Sequence, residues 1–179
     1  MKSNLIAACV LGMLLGCAPK PAVEPPPPYN VAFPMNEVMG DIIDPAAQVL
    51  WHSAGTNYTE KGAESLTPTT HEGWLAADNA MTALAEAGNL LMLPGRARDN
   101  GDWMKLAKQL TDAALAAKAT VLAKDEPGMF DAGGKLYEVC TACHEKYLLP
   151  FLGPDGRPTK LTQDGKPNPL YHGEQPPKN

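Results

Sequence analysis

Apolar residues recur along much of this chain at intervals of three and four, the period of an amphipathic α-helix. The first such segment carries five of them on one face: Met35, Met39, Ile42, Ala46 and Val49. Pro45 interrupts the segment, and an Asp-Pro pair commonly begins a helix. The pattern therefore predicts either one kinked helix over about 35–52 or two shorter helices that meet at Asp44.

Three more segments predict helices over about 70–92, 101–124 and 129–148. The second and third show apolar faces that include Trp74, Ala77, Met81, Leu84, Ala85, Ala87 and Leu91, and then Trp103, Leu106, Leu110, Ala113, Ala117 and Val121. The fourth places Phe130, Gly133, Tyr137, Cys140, His144 and Tyr147 on its predicted buried face. Four helices with short apolar faces predict an all-α fold, most simply an up-down-up-down four-helix bundle.

The rest of the chain shows neither the helical period nor the alternation of a β-strand. A polar stretch over 53–70 is too long for a tight turn, strand-type alternation is nearly absent, and no internal repeat is apparent. Residues 149–179 are rich in proline and glycine, so they are predicted to form an irregular tail.

The N-terminus is typical of an export signal. Lys2 precedes a short apolar run, and "LLGC" ending at Cys17 resembles a bacterial lipobox, which implies cleavage before Cys17 and lipidation of its thiol. An ordinary signal peptide is the alternative. The predicted organisation is a signal at 1–16, a lipidated, proline-rich tether at 17–33, a helical domain at 34–148 and the tail at 149–179.

The number and distribution of charged residues argue against some classes of function. The chain has 15 basic and 20 acidic residues, a net charge of −5, and its basic residues are scattered, which argues against nucleic-acid binding. No polybasic patch is present, so membrane attachment rests on the lipid at Cys17. The predicted location is the periplasmic side of a bacterial membrane, and the choice between inner and outer membrane stays open.

The cysteines point to the chemistry. Cys9 lies in the signal and Cys17 in the lipobox, which leaves Cys140 and Cys143 in "CTACH", followed directly by His144. The C-x-x-C-H string is the signature of c-type haem attachment, and the three side chains share one side of a helix. A thioredoxin-like site would need a βαβ context, and structural zinc would need four ligands.

All 8 methionines precede Cys140, so no methionine follows the motif as a ligand. In this respect residues 33–148 resemble the class II c-type cytochromes, the cytochrome c prime family, whose last helix carries the C-x-x-C-H string. The resemblance implies one haem c bound covalently to Cys140 and Cys143, with His144 as the proximal iron ligand. The long tail and Pro45 depart from the family pattern.

In that family the sixth iron position faces the first helix. Met39 is the favoured distal ligand, Met35 the alternative, and an open site the third possibility. Other candidates lie at the wrong end (His52, His71), lie in the tail (His172) or are better explained by core packing (Met92, Met104). Arg96 and Arg98, in the loop between the second and third helices, are candidates for haem propionate contacts or are solvated loop charges.

The resulting expectation is a lipid-anchored monohaem electron carrier rather than an enzyme. The alternative is a five-coordinate haem protein that binds small gases such as NO or CO. A peroxidase-like enzyme would need a polar distal group, which the sequence does not offer, and an unmodified structural lipoprotein is the fourth hypothesis. Redox partners and homodimer formation are left open.

Overall fold

The computed structural model describes residues 29–162 and 164–171, and most of these residues are helical. The elements in chain order are α1 (Met35–Val38), a π-helical turn (Met39–Ile43), α2 (Asp44–Trp51), β1 (Thr56–Thr59), β2 (Gly62–Ser65), α3 (His71–Met92), α4 (Asp102–Ala123), α5 (Glu126–Tyr147) and a 3₁₀ turn (Leu149–Phe151). The expectation of a mainly helical protein is confirmed.

The first helix runs without a break from Met35 to Trp51 and comprises α1, the π turn and α2. The wide turn comes directly before Pro45, which has no N–H to donate and whose ring crowds the preceding turn. Its extra residue rotates the buried face, so that Ile43 is buried whereas Ile42 is 38% exposed. The prediction that Ile42 belongs to the buried face is therefore wrong.

Helices α3 and α4 have nearly the predicted bounds and pack antiparallel against each other. The Thr70 hydroxyl caps α3 by accepting a 3.1 Å hydrogen bond from the Gly73 N–H. The two helices approach closely at Gly88, and nearby the Thr111 hydroxyl donates to the Ala85 carbonyl at 2.9 Å. The contact depends on the absence of a side chain at Gly88.

Helix α5 begins three residues earlier than predicted, at Glu126, because the Asp125 carboxylate caps it by accepting from the Gly128 N–H. Its buried residues are Met129, Ala132, Gly133 and Leu136. Phe130 and Tyr137, which were predicted to be buried, are 64% and 62% exposed. The buried face is thus turned by one residue from the prediction, and His144 is exposed.

The polar stretch after α2 contains a two-stranded antiparallel hairpin that sequence analysis missed. Strand β1 pairs with β2 in a register that sets Thr56 opposite Ser65 and Thr59 opposite Gly62. Every residue of both strands is exposed. Since no buried face imposes alternation, this hairpin left no hydrophobic pattern to detect.

The tail contains two copies of one nine-residue unit, "LGPDGRPTK" at 152–160 and "LTQDGKPNP" at 161–169. In each copy an isolated antiparallel bridge joins the leucine to the proline, Leu152 to Pro158 and Leu161 to Pro167. The glycine of each Asp-Gly pair has φ of +73° or +78°, which suits a tight turn. The conclusion that the chain has no internal repeat is therefore wrong.

One buried side chain joins the two units of the tail. The Asn168 amide nitrogen donates to the Phe151 carbonyl at 2.7 Å and to the Thr159 carbonyl at 2.6 Å. Its amide oxygen accepts from the Leu170 N–H at 2.8 Å. From its buried position in the second unit, Asn168 thus binds Thr159 of the first unit and the two residues that flank the repeat, and the tail is less irregular than predicted.

The predicted signal peptide, the lipidation site Cys17 and His172 lie outside the described residues. Within residues 29–162 and 164–171, no helix combines the length and the apolar character needed to cross a membrane.

Two glycine substitutions test the packing described above. A Cβ at Gly88 would lie 2.0 Å from the Thr111 hydroxyl oxygen and 2.7 Å from the Ala107 carbonyl oxygen. The carbonyl belongs to the backbone of α4, so relieving this clash requires the two helices to move apart. We expect Gly88→Ala to lower the free energy of unfolding by about 1–3 kcal/mol. The matched change Gly134→Ala meets nothing within 4 Å and should raise it by about 0.5–1 kcal/mol. Urea unfolding followed by circular dichroism measures both, and equal effects would contradict the close packing.

Candidate functional site

The C-x-x-C-H residues occupy the last two turns of α5. Cys140 and Cys143 are half-buried free thiols one turn apart, and His144 follows them on the exposed side. The motif therefore lies where the core-facing side of α5 meets solvent, with two half-buried cysteines beside an exposed histidine.

Both thiols lie in surroundings that favour the protonated form. Burial raises the pKa of the Cys140 thiol above its ordinary value, and the negative charge of the Asp44 carboxylate raises it further. Burial, followed by the neighbouring Cys140, raises the pKa of Cys143 as well. Since the thiolate is the reactive form, neither cysteine is an activated nucleophile of the kind that a thioredoxin-like site requires.

The first helix lies antiparallel to α5. The Trp51 indole N–H donates to the Gly133 carbonyl at 3.0 Å, and the influence of Asp44 on Cys140 marks a second point of proximity seven residues along each helix. Counting five further residues, back along the first helix through its π turn and forward along α5, pairs Met39 with residue 145, next to His144 in the sequence. Met35 falls level with residue 149, past the end of α5.

The two helices do not stay together over this whole length. Helix α2 approaches α5 closely, but no Cα of Met35–Ile43 comes within 8 Å of a Cα of α5. The π turn contacts α3 instead. The first helix thus leans away from α5 beside the motif, and the half-buried side chains of Met35 and Met39 lie on the segment that leans away.

The loop between α3 and α4 carries both arginines that were candidates for propionate contacts, and the two differ in burial. Arg96 is buried, and its guanidinium donates to the Leu90 carbonyl at 3.2 Å, near the end of α3. Its Nε atom is buried without a hydrogen-bond partner among the described residues, which is costly for a cationic group. Arg98 is exposed.

This loop is tied to the end of α5 by contacts that the sequence did not suggest. The Tyr147 hydroxyl donates to the Asp99 carboxylate, and the Lys146 ammonium pairs with Asp102. The Tyr147 ring also packs edge-on against the buried Trp103 ring, with 4.9 Å between ring centroids. These contacts bring the arginine-bearing loop to the motif-bearing end of α5.

Four other described residues were candidates for iron ligation: His52, His71, Met92 and Met104. His52 and His71 are exposed, at the end of α2 and the start of α3. Met92 and Met104 pack against the core, as expected. Over residues 29–162 and 164–171, no three His, Cys, Asp or Glu side chains gather into a metal-binding group.

Comparisons with known proteins return no match: no family model, no curated protein and no solved structure is significantly similar to this chain.

The contacts of Tyr147 predict how stability changes at alkaline pH. Burial, the hydrogen bond to Asp99 and nearby negative charge raise the pKa of Tyr147 from 10.0 to about 12. The folded protein thus holds this proton more tightly than the unfolded chain, a stabilisation present below pH 10 and lost between pH 10 and 12. The free energy of unfolding should therefore fall more steeply over this interval in the wild type than in Tyr147→Phe.

Urea unfolding at closely spaced pH values measures this difference, and parallel curves for the two proteins would contradict it. Asp99→Asn serves as the control. It removes the charged acceptor but not the burial, which is the largest cause, so the pKa of Tyr147 should drop only part of the way towards 10.0.

Proposed function

We propose that this protein is a lipid-anchored, monohaem c-type cytochrome that carries single electrons on the periplasmic side of a bacterial membrane. In this proposal the helices form an up-down-up-down four-helix bundle, haem c is joined to Cys140 and Cys143, and the lipid is attached at Cys17. The C-x-x-C-H string supports the cofactor, since it is a specific signature for haem attachment.

One structural observation supports the proposal independently of the motif. The first helix leans away from α5 beside Cys140, Cys143 and His144, so that more than 8 Å separates the Cα atoms of Met35–Ile43 from those of α5. Both cysteines are half-buried, and Asp44 on the first helix lies close enough to Cys140 to raise the pKa of its thiol. The separation of the two helices beside the motif supports a flat group joined to both sulfur atoms at this position.

Each residue has a defined task in this proposal. Cys140 and Cys143 would hold the group on α5, and His144 would supply an imidazole nitrogen to the iron. Met39 would supply a thioether sulfur, since the count along the two helices places it nearer to His144 than Met35. When bound, a haem iron with these two ligands exchanges one electron between its ferrous and ferric states, and sulfur ligation favours the ferrous state.

The buried arginine supports the same arrangement. The unpartnered Nε of Arg96 is a donor in a loop that Tyr147 and Asp99 tie to the end of α5. A haem propionate would satisfy that donor and place a carboxylate next to a cation. Arg98, being exposed, is assigned no such role.

Optical spectra of protein matured in cells that attach haem c test the proposal directly. We expect a low-spin spectrum with a weak far-red band from methionine ligation, unchanged by CO. Met39→Leu should convert the spectrum to high spin and allow CO to bind, because it removes the sulfur but keeps the apolar volume. The matched change Met35→Leu should leave the low-spin spectrum intact.

Each of the other results has a clear meaning. Spectra that respond to Met35→Leu alone would make Met35 the ligand. A wild-type protein that is already high spin and binds CO would replace the electron carrier by the gas-binding alternative. A protein without covalent haem would refute both functions.

The assignment of Arg96 is tested by redox titration. Removing a buried cation beside the haem should favour the ferric state, so Arg96→Gln should lower the reduction potential by roughly 40 mV, the equivalent of about 1 kcal/mol for a one-electron couple. Arg98→Gln provides the matched control in the same loop and should shift the potential much less. Equal shifts in the two variants would contradict a propionate contact of Arg96. So would a loss of thermal stability in Arg96→Gln without a change in potential, which would give Arg96 a structural role only, through its bond to the end of α3.

A further inference from the structure

The π-helical turn changes which residues of the first helix face the core. Residues three, four and seven apart lie on one side of a straight α-helix, and Ile43, Ala46 and Leu50 are buried at such intervals. A straight continuation would next bury Met39, four residues before Ile43. Instead Val38, five residues before Ile43, is buried, and Met39 is half-buried. The turn thus exchanges Val38 for Met39 in the core.

Asn36 gives independent evidence of this rotation. It lies seven residues before Ile43, so a straight α-helix would turn its amide towards the core. In the structure Asn36 is exposed, whereas the neighbouring Met35 is half-buried and packs against the core. The segment before the turn is therefore rotated by about one residue, or roughly 100°.

A separate row of side chains on α2 faces α5. Trp51 and Asp44 lie seven residues apart, nearly two α-helical turns, so their side chains leave the same side of the helix. The Trp51 indole N–H donates to the Gly133 carbonyl of α5 at 3.0 Å. Asp44 lies close enough to Cys140 to raise the pKa of its thiol. A residue one turn before Asp44 on this row is directed towards the C-x-x-C-H end of α5.

The π turn sets Met39 at that place. The Asp44 N–H donates to the carbonyl of Met39, five residues back, where an α-helix would use the carbonyl of Gly40. Met39 therefore lies one turn from Asp44 on the row that faces α5. A straight helix would give this place to Gly40, which has no side chain.

Pro45 accounts for the wide turn. In a straight α-helix its ring would crowd the carbonyl of Asp41, four residues back, and it has no N–H to bond there. We propose that Pro45 is a positioning residue, which through the π turn takes the Met39 side chain out of the core and directs it towards the C-x-x-C-H motif. The use of that side chain as an iron ligand rests on the proposed electron-carrier function.

Methionine oxidation of the full chain, prepared without haem, tests this orientation. Every protein compared carries Asn36→Leu, because the Asn36 amide would otherwise resist rotation into the core. Adding Pro45→Ala should allow a straight α-helix that buries Met39, so dilute hydrogen peroxide should convert Met39 to its sulfoxide at least about threefold more slowly. Peptide mass spectrometry measures the rate. Met104, half-buried on α4, is the internal standard and should react equally in all variants.

Deletion of Gly40 provides the matched reversal. In the Asn36→Leu/Pro45→Ala background it shortens the straight helix by one residue, which returns Met39 to the row of Asp44 and Val38 to the core. The oxidation rate of Met39 should then recover. An equal or faster rate after Pro45→Ala, or no recovery after deletion of Gly40, would overturn the proposal.

Spectra of the haem-loaded variants supply a signature that a purely structural role of Pro45 would not give. Asn36→Leu should stay low spin, added Pro45→Ala should give a high-spin spectrum that CO shifts, and further deletion of Gly40 should restore low spin. Oxidation is measured without haem, so the two proposals fail separately. A protein that carries no haem would refute the proposed function, whereas alternating oxidation rates would still support the orientation of Met39.

Discussion

The hydrogen bond from the Trp51 indole to the Gly133 carbonyl is the constraint on which the arrangement of the site depends. It joins the end of the first helix to a turn of α5 that has no side chain, and a Cβ at Gly133 would lie only 3.2 Å from the Trp51 ring. Because the helices run antiparallel, this contact aligns α2 with the first half of α5. Asp44 then lies close enough to Cys140 to raise the pKa of its thiol.

The π turn and Pro45 complete that arrangement. A straight α-helix would continue along α5, whereas the wide turn redirects the N-terminal half of the first helix towards α3. The separation beside the motif and the contact at Trp51 thus have one origin. The proposed haem site lies where the two helices diverge, beyond the contact of Trp51 with Gly133.

The C-terminal end of α5 is held by a different set of contacts. Tyr147 combines a ring contact with the buried Trp103 and a hydrogen bond to the exposed loop residue Asp99, so it links core and loop. That link holds the loop of Arg96 close to the motif although nearly fifty residues separate the two in sequence. A buried arginine with an unpartnered nitrogen is costly in isolation, which is the physical reason for assigning it an anionic partner.

Local sequence signals determined the helices, their caps and the placement of the C-x-x-C-H motif on the last of them, since periodicity and capping depend only on near neighbours. The nine-residue repeat of the tail was also present in the sequence, but its units are short and follow neither the helical nor the strand period. Only the tertiary structure decided which face of α5 is buried. Phe130 and Tyr137 follow the same three-and-four spacing as Met129 and Leu136, one residue away, and only the packing of α2 and α4 against α5 distinguishes the two stripes. The divergence of the first helix from α5 beside the motif likewise depends on contacts between residues far apart in the chain, which no local pattern encodes.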